Sequence, residues 1–318
     1  MAGVLVTGGA GFIGSHLVEA LVRRGDRVRV LDNFLTGRRA NLEDVRKDVE
    51  ILKGDIREPS DCRKAVRGMD RVLHQAALPS VPRSVLDPRL TNDINITGTL
   101  NMLLAARDAG VASFVFASSS SVYGDDATLP KAEGREGRPL SPYAVSKLVG
   151  EKYIRVFRDL YGFNAVALRY FNIFGPRQDP ASQYAAVVPN FVTRLLRGEA
   201  PVIYGDGEQS RDFTYVENVV NANLLATEAK NAGGEAFNIA CADRITVAGL
   251  ARALNAILGT DIPAVHEPAR AGDILHSFAD IRKAEAGLSY RPAVAFEDGL
   301  RRTVDWYRSR RSSWDKKR

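Results

Sequence analysis

Tyr143 and Lys147 stand four residues apart in Ser141-Pro142-Tyr143-Ala144-Val145-Ser146-Lys147. On a helix that spacing puts both side chains on one face. A tyrosine, with a reference pKa of ~10, is a poor base at neutral pH. A neighbouring ammonium favours its phenolate, which suits the pair to moving a proton to and from an alcohol. Ser119, at the end of a β-rich run 24 residues before Tyr143, could hydrogen-bond the same alcohol. By itself a tyrosine–lysine pair is ordinary surface chemistry, and its meaning depends on what else the chain holds.

The second constellation is Thr7-Gly8-Gly9-Ala10-Gly11-Phe12-Ile13-Gly14, between a short apolar run and a helical pattern. Glycines at 8, 11 and 14 let the backbone turn sharply, approach a pyrophosphate and pack helix on strand. The helix N-terminus then offers free N–H groups and a partial positive charge. The next strand pattern ends in Asp32, 18 residues after Gly14. A carboxylate there can accept hydrogen bonds from both adenosine ribose hydroxyls and would repel a 2′-phosphate, which favours NAD over NADP. Beside such a cofactor the positive nicotinamide ring would join Lys147 in lowering the Tyr143 pKa, and Lys147 could hold the nicotinamide ribose.

These residues must be positioned by an alternating framework. Strands are expected at Val4–Thr7, Arg27–Leu31, Val49–Lys53, Arg71–Ala77, Ser113–Ser118 and Ala165–Tyr170. Helices are expected over 12–24, from Pro59 to near Gly68, over 88–109 and over 143–160, by apolar periodicity and capping residues. Strands alternating with helices imply parallel βαβ units and a doubly wound α/β sheet of Rossmann type. Beyond residue 172 the pattern turns irregular, with helices near 189–197, 216–229, 246–258 and 296–308. The expected layout is a dinucleotide-binding domain over 1–171 with a return near 208–240, a smaller, partly interleaved lobe from 172–207 and 241–307, and a basic tail at 308–318.

Bulk properties exclude other classes. Apolar residues at 45% and charged residues at 26% describe an ordinary soluble globular chain. Of the net charge of +6, +5 lies in the last eleven residues, so the body is near neutral and no nucleic-acid surface is expected. No stretch approaches the ~18–20 apolar residues needed to span a bilayer, and a strand starting near Gly3 leaves no room for a signal peptide. Two distant cysteines, Cys62 and Cys241, fit a reducing cytoplasm. His16, His74, His266 and His276 show no ligand spacing, so no metal is expected.

Together TGGAGFIG, Asp55-Ile56, HQAA, SSSSVYG, YAVSK and RYFNIFG resemble the extended short-chain dehydrogenase/reductase family. RQDP, YGDGEQSRDFTY and RAGDILHSFAD are similar to its UDP-sugar 4-epimerases, most of all the branch acting on UDP-N-acetylglucosamine. The resemblance covers about residues 3–307. It implies that Ser119, four residues before Tyr123, is the catalytic serine, within a run (Ser118 to Ser121) that leaves room for an error of one position. It places Phe12, Ile13, Asn33, Asp55, Ile56, Ala76, Asn95 and Tyr170 with the cofactor, Asp55 and Ile56 flanking the adenine. With the substrate it places Ser80, Asn172, Val188 and Tyr204, Arg211 and Arg270 gripping the diphosphate, and Asp273 on the uridine ribose. Ser277, seven residues after Arg270, matches a gate beside the sugar C2 substituent, where a small side chain admits an N-acetyl group.

The implied reaction is removal of the O4 proton by Tyr143 with hydride transfer from C4 to NAD, rotation of the 4-keto sugar, and return of hydride to its opposite face. UDP-N-acetylglucosamine and UDP-N-acetylgalactosamine are the expected substrates, with UDP-glucose and UDP-galactose also entering. A 4,6-dehydratase would carry Asp-Glu after its catalytic threonine, where Ser120 and Ser121 stand, and a UDP-glucuronate decarboxylase a Glu at Ser121. A UDP-glucuronate 4-epimerase stays the alternative, although Asp179 follows Arg177-Gln178 where its relatives carry Arg. A silent NAD-binding module is expected to lose the Tyr or Lys. The helices near 88–109 and 142–160 carry apolar residues on more than one face, and in the family such helices pair two subunits, so a homodimer is expected.

Overall fold

The computed structural model describes residues 1–180, 186–269 and 275–315. Its first half contains β1 (Gly3–Thr7), α1 (Phe12–Arg23), β2 (Arg27–Asp32), β3 (Val49–Lys53), α2 (Pro59–Val66), β4 (Arg71–His74), α3 (Val81–Leu86), α4 (Pro88–Asn92), α5 (Gly98–Asp108), β5 (Ser113–Ser119), α6 (Pro142–Tyr161) and β6 (Ala165–Tyr170). β1 and β6 are buried along their whole length, as strands covered on both faces must be. α6, which carries Tyr143 and Lys147, starts where the Ser141 hydroxyl accepts the Ala144 N–H and Pro142 occupies the first turn. It ends on Gly162, at a φ of 64° that favours glycine.

The span 88–109 differs from the expected single helix. Asp87 caps α4 by accepting the Leu90 N–H at 2.9 Å, and a π-helical turn over Asp93–Thr97 separates α4 from α5. α3 precedes them, capped by Ser80. Six residues are too few to display an apolar period, which is why no element was expected there.

The second half holds β7 (Ile173–Phe174), α7 (Val187–Leu196), β8 (Val202–Tyr204), β9 (Ser210–Arg211), β10 (Thr214–Tyr215), α8 (Val216–Glu228), β11 (Ala236–Ile239), β12 (Ile245–Thr246), α9 (Val247–Leu258), β13 (Val265–Glu267), β14 (His276–Ser277), α10 (Arg282–Leu288) and α11 (Phe296–Ser309). Among the described residues the main sheet has seven strands in the order β11-β6-β5-β4-β1-β2-β3, all parallel. This is a Rossmann-like α/β fold. One face packs Leu17 and Leu21 of α1 with Val219 and Ala226 of α8, and the other packs Met102 and Leu103 of α5 with Phe157 of α6. α10, in a stretch with no expected element, adds Ala284 and Leu288 to the first face. A third cluster, with Phe174, Phe191, Phe213, Leu250 and Phe296, joins α7, α9 and α11. Strand order reverses between β1 and β4, so a crevice opens beyond their carboxyl ends, where α/β sheets of this kind bind ligands.

Candidate active site

A cleft of about 990 Å³ occupies that crevice. Its floor is the glycine turn. Gly8 has a φ of 68°, and a Cβ there would stand 2.7 Å from the Ala76 nitrogen. A Cβ on Gly14 would stand 2.2 Å from the Gly8 carbonyl oxygen. Only glycine lets these backbones approach. No side chain caps the N-terminus of α1 at Gly11, so its amides stay available to an anion. Phe12, Ile13 and Ala76 line the cleft with Gly8, Gly11 and Gly14.

Asp32 ends β2 on the cleft wall. Its carboxylate accepts the Ala10 N–H at 2.9 Å and the Phe34 N–H at 2.7 Å. Burial pushes its pKa up, and those two bonds pull the other way. Further along, Asn33 donates to Asp55 at 2.9 Å. The Arg57 guanidinium bonded to Asp55 holds that carboxyl down at about 2. Asp55, Ile56 and Tyr170 line the same cleft. The Tyr170 hydroxyl is fixed by Asn223 of α8, whose amide donates to it at 2.9 Å. These residues fit a dinucleotide: a backbone cradle for phosphates, with a carboxylate beyond it for ribose hydroxyls.

Ser119, Ser120, Tyr143 and Lys147 line the cleft at the end of β5. Ser118 also borders the cleft, but its hydroxyl is committed to Glu151 at 2.5 Å, and the Ser121 hydroxyl is buried off the cleft. The Lys147 ammonium donates to the Ala117 carbonyl at 2.8 Å and lies 5.8 Å from the centre of the Tyr143 ring. The electrostatics differ from the expectation of a depressed tyrosine. Burial pushes the Tyr143 pKa up, only partly offset by the Ser119 hydroxyl, and burial pulls Lys147 down to about 7. Desolvation opposes both charges at once. Behind this trio Arg169 holds Glu151 bidentately at 2.9 and 2.7 Å and donates to the Tyr123 hydroxyl at 2.9 Å.

A second cavity of about 260 Å³ adjoins the first, sharing Asn172, Ile173 and Ala186. Val188, Tyr204 and Arg211 line it. Asn172 sits at a φ of 39°, a left-handed conformation that asparagine tolerates better than most residues, and donates to the Asp212 carbonyl at 3.3 Å. Ser80 lies in the first cavity.

Some expected site residues lie elsewhere. Asn95 lines neither cavity. Its oxygen accepts the Leu78 N–H at 2.7 Å and its nitrogen donates to Ser146 at 3.1 Å. Both ends of the amide are committed, so Asn95 braces α6 beside Lys147 from behind. Ser277 also lines neither cavity, although it is registered beside Arg211 in the β9–β14 pairing. Arg270 and Asp273 lie outside the described residues. Sequence reasoning missed Gln209, on the second cavity wall, and Arg38, Arg83, Arg177, Gln178 and Asp179 around the first. Arg177, Gln178 and Asp179 stand together in the RQDP motif, whereas no local spacing marks Arg38, in the segment after β2, or Arg83, on α3. Among the described residues no group of His, Cys, Asp and Glu could hold a metal ion, and no helix is long and apolar enough to cross a membrane.

The chain is similar to several known proteins along nearly its whole length. UDP-N-acetylglucosamine 4-epimerase from Methanobrevibacter ruminantium, solved with UDP-N-acetylmuramic acid, is 42% identical with a TM-score of 0.93, covering 97% of this chain and 98% of that one. UDP-glucose 4-epimerase from Thermus thermophilus, solved with NAD, is 39% identical with a TM-score of 0.87, covering 97% and 99%. UDP-glucose 4-epimerase of Mycolicibacterium smegmatis is 37% identical over 311 residues, 96% of this chain and 98% of its own length. The NAD dependent epimerase/dehydratase family matches residues 4–240. With the glycine cradle, Asp32 and the Ser119–Tyr143–Lys147 cluster already in place, the chain belongs to the NAD dependent epimerase/dehydratase family.

Proposed function

We propose that the chain inverts C4 of the hexose of a UDP-sugar. The observation that carries this reading is the position of Ser119, Tyr143 and Lys147 in a dinucleotide cleft that runs into a second cavity walled by Asn172, Tyr204 and Arg211. The second cavity suits the UDP, with Arg211 on the diphosphate, and the sugar reaches back to Tyr143. Arg270, Asp273 and Ser277 are proposed to complete that side. Tyr143 takes the O4 proton and later returns it, and Ser119 hydrogen-bonds O4 and orients it. Lys147 holds a ribose hydroxyl and supports the phenolate. NAD, when bound, accepts and returns the C4 hydride and brings a positive charge that offsets the burial of the phenolate. The cycle leaves no net oxidation, so the protein's tasks are position and electrostatics.

We infer that the sugar is N-acetylglucosamine or N-acetylgalactosamine, with glucose and galactose also accepted, because the small Ser277, paired with Arg211 of the second cavity, matches the position that gates the C2 substituent in similar epimerases. Arg83 supports a second reading, UDP-glucuronate, because its guanidinium lines the cleft beside Ser80 and makes no ion pair among the described residues. Val145, Val156 and Leu160 on α6 and Val85 and Leu86 on α3 are exposed, which supports pairing of two copies through these helices as a homodimer.

The test is turnover of UDP-N-acetylglucosamine, UDP-glucose and UDP-glucuronate, each without added NAD, with products resolved by chromatography. Conversion of the acetylated sugar is expected. Conversion of UDP-glucose alone would defeat the argument from Ser277, conversion of UDP-glucuronate alone would favour Arg83, and no conversion even with NAD added would defeat the epimerase reading.

A further inference from the structure

We propose that residues 175–179 form a clasp that holds the dinucleotide in its cleft, pinned to α1 through Arg177 and latched across the opening by an Asp179–Arg38 ion pair. The proposal rests on the cleft being the NAD site.

Arg177 has a φ of 67°, a conformation that side-chain-bearing residues seldom adopt unless their surroundings hold them there. Its guanidinium is held on three sides. It meets both carboxylate oxygens of Glu19 at 2.5 and 2.8 Å, the Asn41 carbonyl at 3.1 Å, and His16 Nδ1 at 2.7 Å. His16 Nε2 faces the Pro176 carbonyl at 3.0 Å. A carbonyl can only accept, so Nε2 carries the proton and Nδ1 accepts from Arg177. His16 and Glu19 both belong to α1, whose N-terminus faces the cleft. The segment is therefore tied twice to the helix that cradles the phosphates.

The next two residues complete the closure. Gln178 donates to the Ile173 carbonyl at 3.1 Å, and its backbone carbonyl accepts from the Tyr307 hydroxyl of α11. Asp179 meets Arg38 at 2.6 Å. Arg38 follows β2, which lies across the β4–β1 reversal from β6, and its N–H donates to the Ala10 carbonyl of the glycine turn at 2.9 Å. Arg38, Asn41, Arg177, Gln178 and Asp179 all line the cleft, so the ion pair joins the segment after β2 to the segment after β7 at the cleft. A dinucleotide lying from Gly11 towards Asp32 would sit beneath this bridge and could leave only when the pair opens or the segment lifts. Asp179 thus serves cofactor retention at the position where a glucuronate-type enzyme was expected to carry a sugar-binding cation.

The test is exchange of bound NAD for isotopically labelled NAD in the full chain, followed by mass spectrometry of the released cofactor. Asp179→Asn is expected to speed exchange about threefold, as suits an exposed pair. Glu19→Gln, which takes one charge from a half-buried bidentate contact, is expected to speed it on the order of tenfold or more. The exchanged pair Arg38→Asp with Asp179→Arg should return the rate towards wild type, and turnover lost on dilution of the single variants should recover with added NAD. Equal exchange rates in wild type, Asp179→Asn and Glu19→Gln would overturn the clasp, as would an exchanged pair no slower than Asp179→Asn. A wild-type protein that neither carries nor takes up NAD would overturn the cofactor site itself, an outcome distinct from weak retention.

Discussion

Lys147→Met should make the NAD-free protein more stable while abolishing turnover, and the gain should shrink as pH rises. Lys147 is 3% exposed, and burial has pulled its pKa from 10.5 to about 7. At about 1.4 kcal/mol per pH unit, that fall corresponds to a cost of about 5 kcal/mol to the folded state below pH 7. Between pH 7 and 10.5 the unfolded chain holds this proton more often than the folded one, so the stability of the wild type rises with pH across that window. From pH 6 to pH 8 the lysine's penalty falls by roughly 1–2 kcal/mol. Methionine has a similar length and no charge, but it leaves the Ala117 carbonyl without its partner at 2.8 Å, a loss of about 1–3 kcal/mol. The expected net gain is about 2–4 kcal/mol at pH 6, and roughly 1–2 kcal/mol less at pH 8. Urea unfolding of both proteins at pH 6, 7 and 8, after removal of NAD, measures it. NAD must be absent because a ligand that uses the ammonium stabilises only the wild type. A gap that is zero, or that widens with pH, would refute the reasoning.

Three further outcomes follow from the same geometry. Tyr143→Phe deletes one oxygen from the site, so turnover should fall by about 10²–10⁴ while NAD stays bound, measured by chromatography of products and of released cofactor. Glu151→Gln takes from Arg169, 2% exposed, the carboxylate it grips at 2.9 and 2.7 Å while Glu136 stays paired with it; weakening charged hydrogen bonds of this kind costs about 1.5–3 kcal/mol, so thermal unfolding should move down by a few degrees. Gly14→Ala puts a Cβ 2.2 Å from the Gly8 carbonyl oxygen, and cofactor content after purification should drop sharply, since the turn must shift to make room.

Side-chain direction is where the sequence says least. The glycine turn, Asp32, and the Tyr143–Lys147 spacing are local, and each stands in the structure as the periodicity of strand and helix requires. Asn95 was placed with the cofactor because it lies in the right stretch of chain. Its amide faces Leu78 and Ser146 instead, and no spacing rule could show which way it points. The Ser118–Ser121 run was ambiguous for the same reason. A strand sends alternate side chains to opposite faces, and only the packing of β5 against α6 determines that the Ser118 hydroxyl is committed to Glu151 while the Ser119 hydroxyl meets Tyr143.

What the sequence determined by itself was the Rossmann-like framework, the phosphate turn and the residue types for proton transfer, because backbone period and glycine geometry act over a few residues. Only the tertiary structure decided which distant loops meet. Arg38 and Asp179 are 141 residues apart yet pair at one cleft, and Asn172, Val188, Tyr204 and Arg211 wall one cavity. The same holds for charge. Tyr143 and Lys147 read as a phenolate–ammonium pair from their spacing, and burial works against both charges in the fold. Desolvation depends on what surrounds a group on every side, and that is set by packing between elements far apart in the chain.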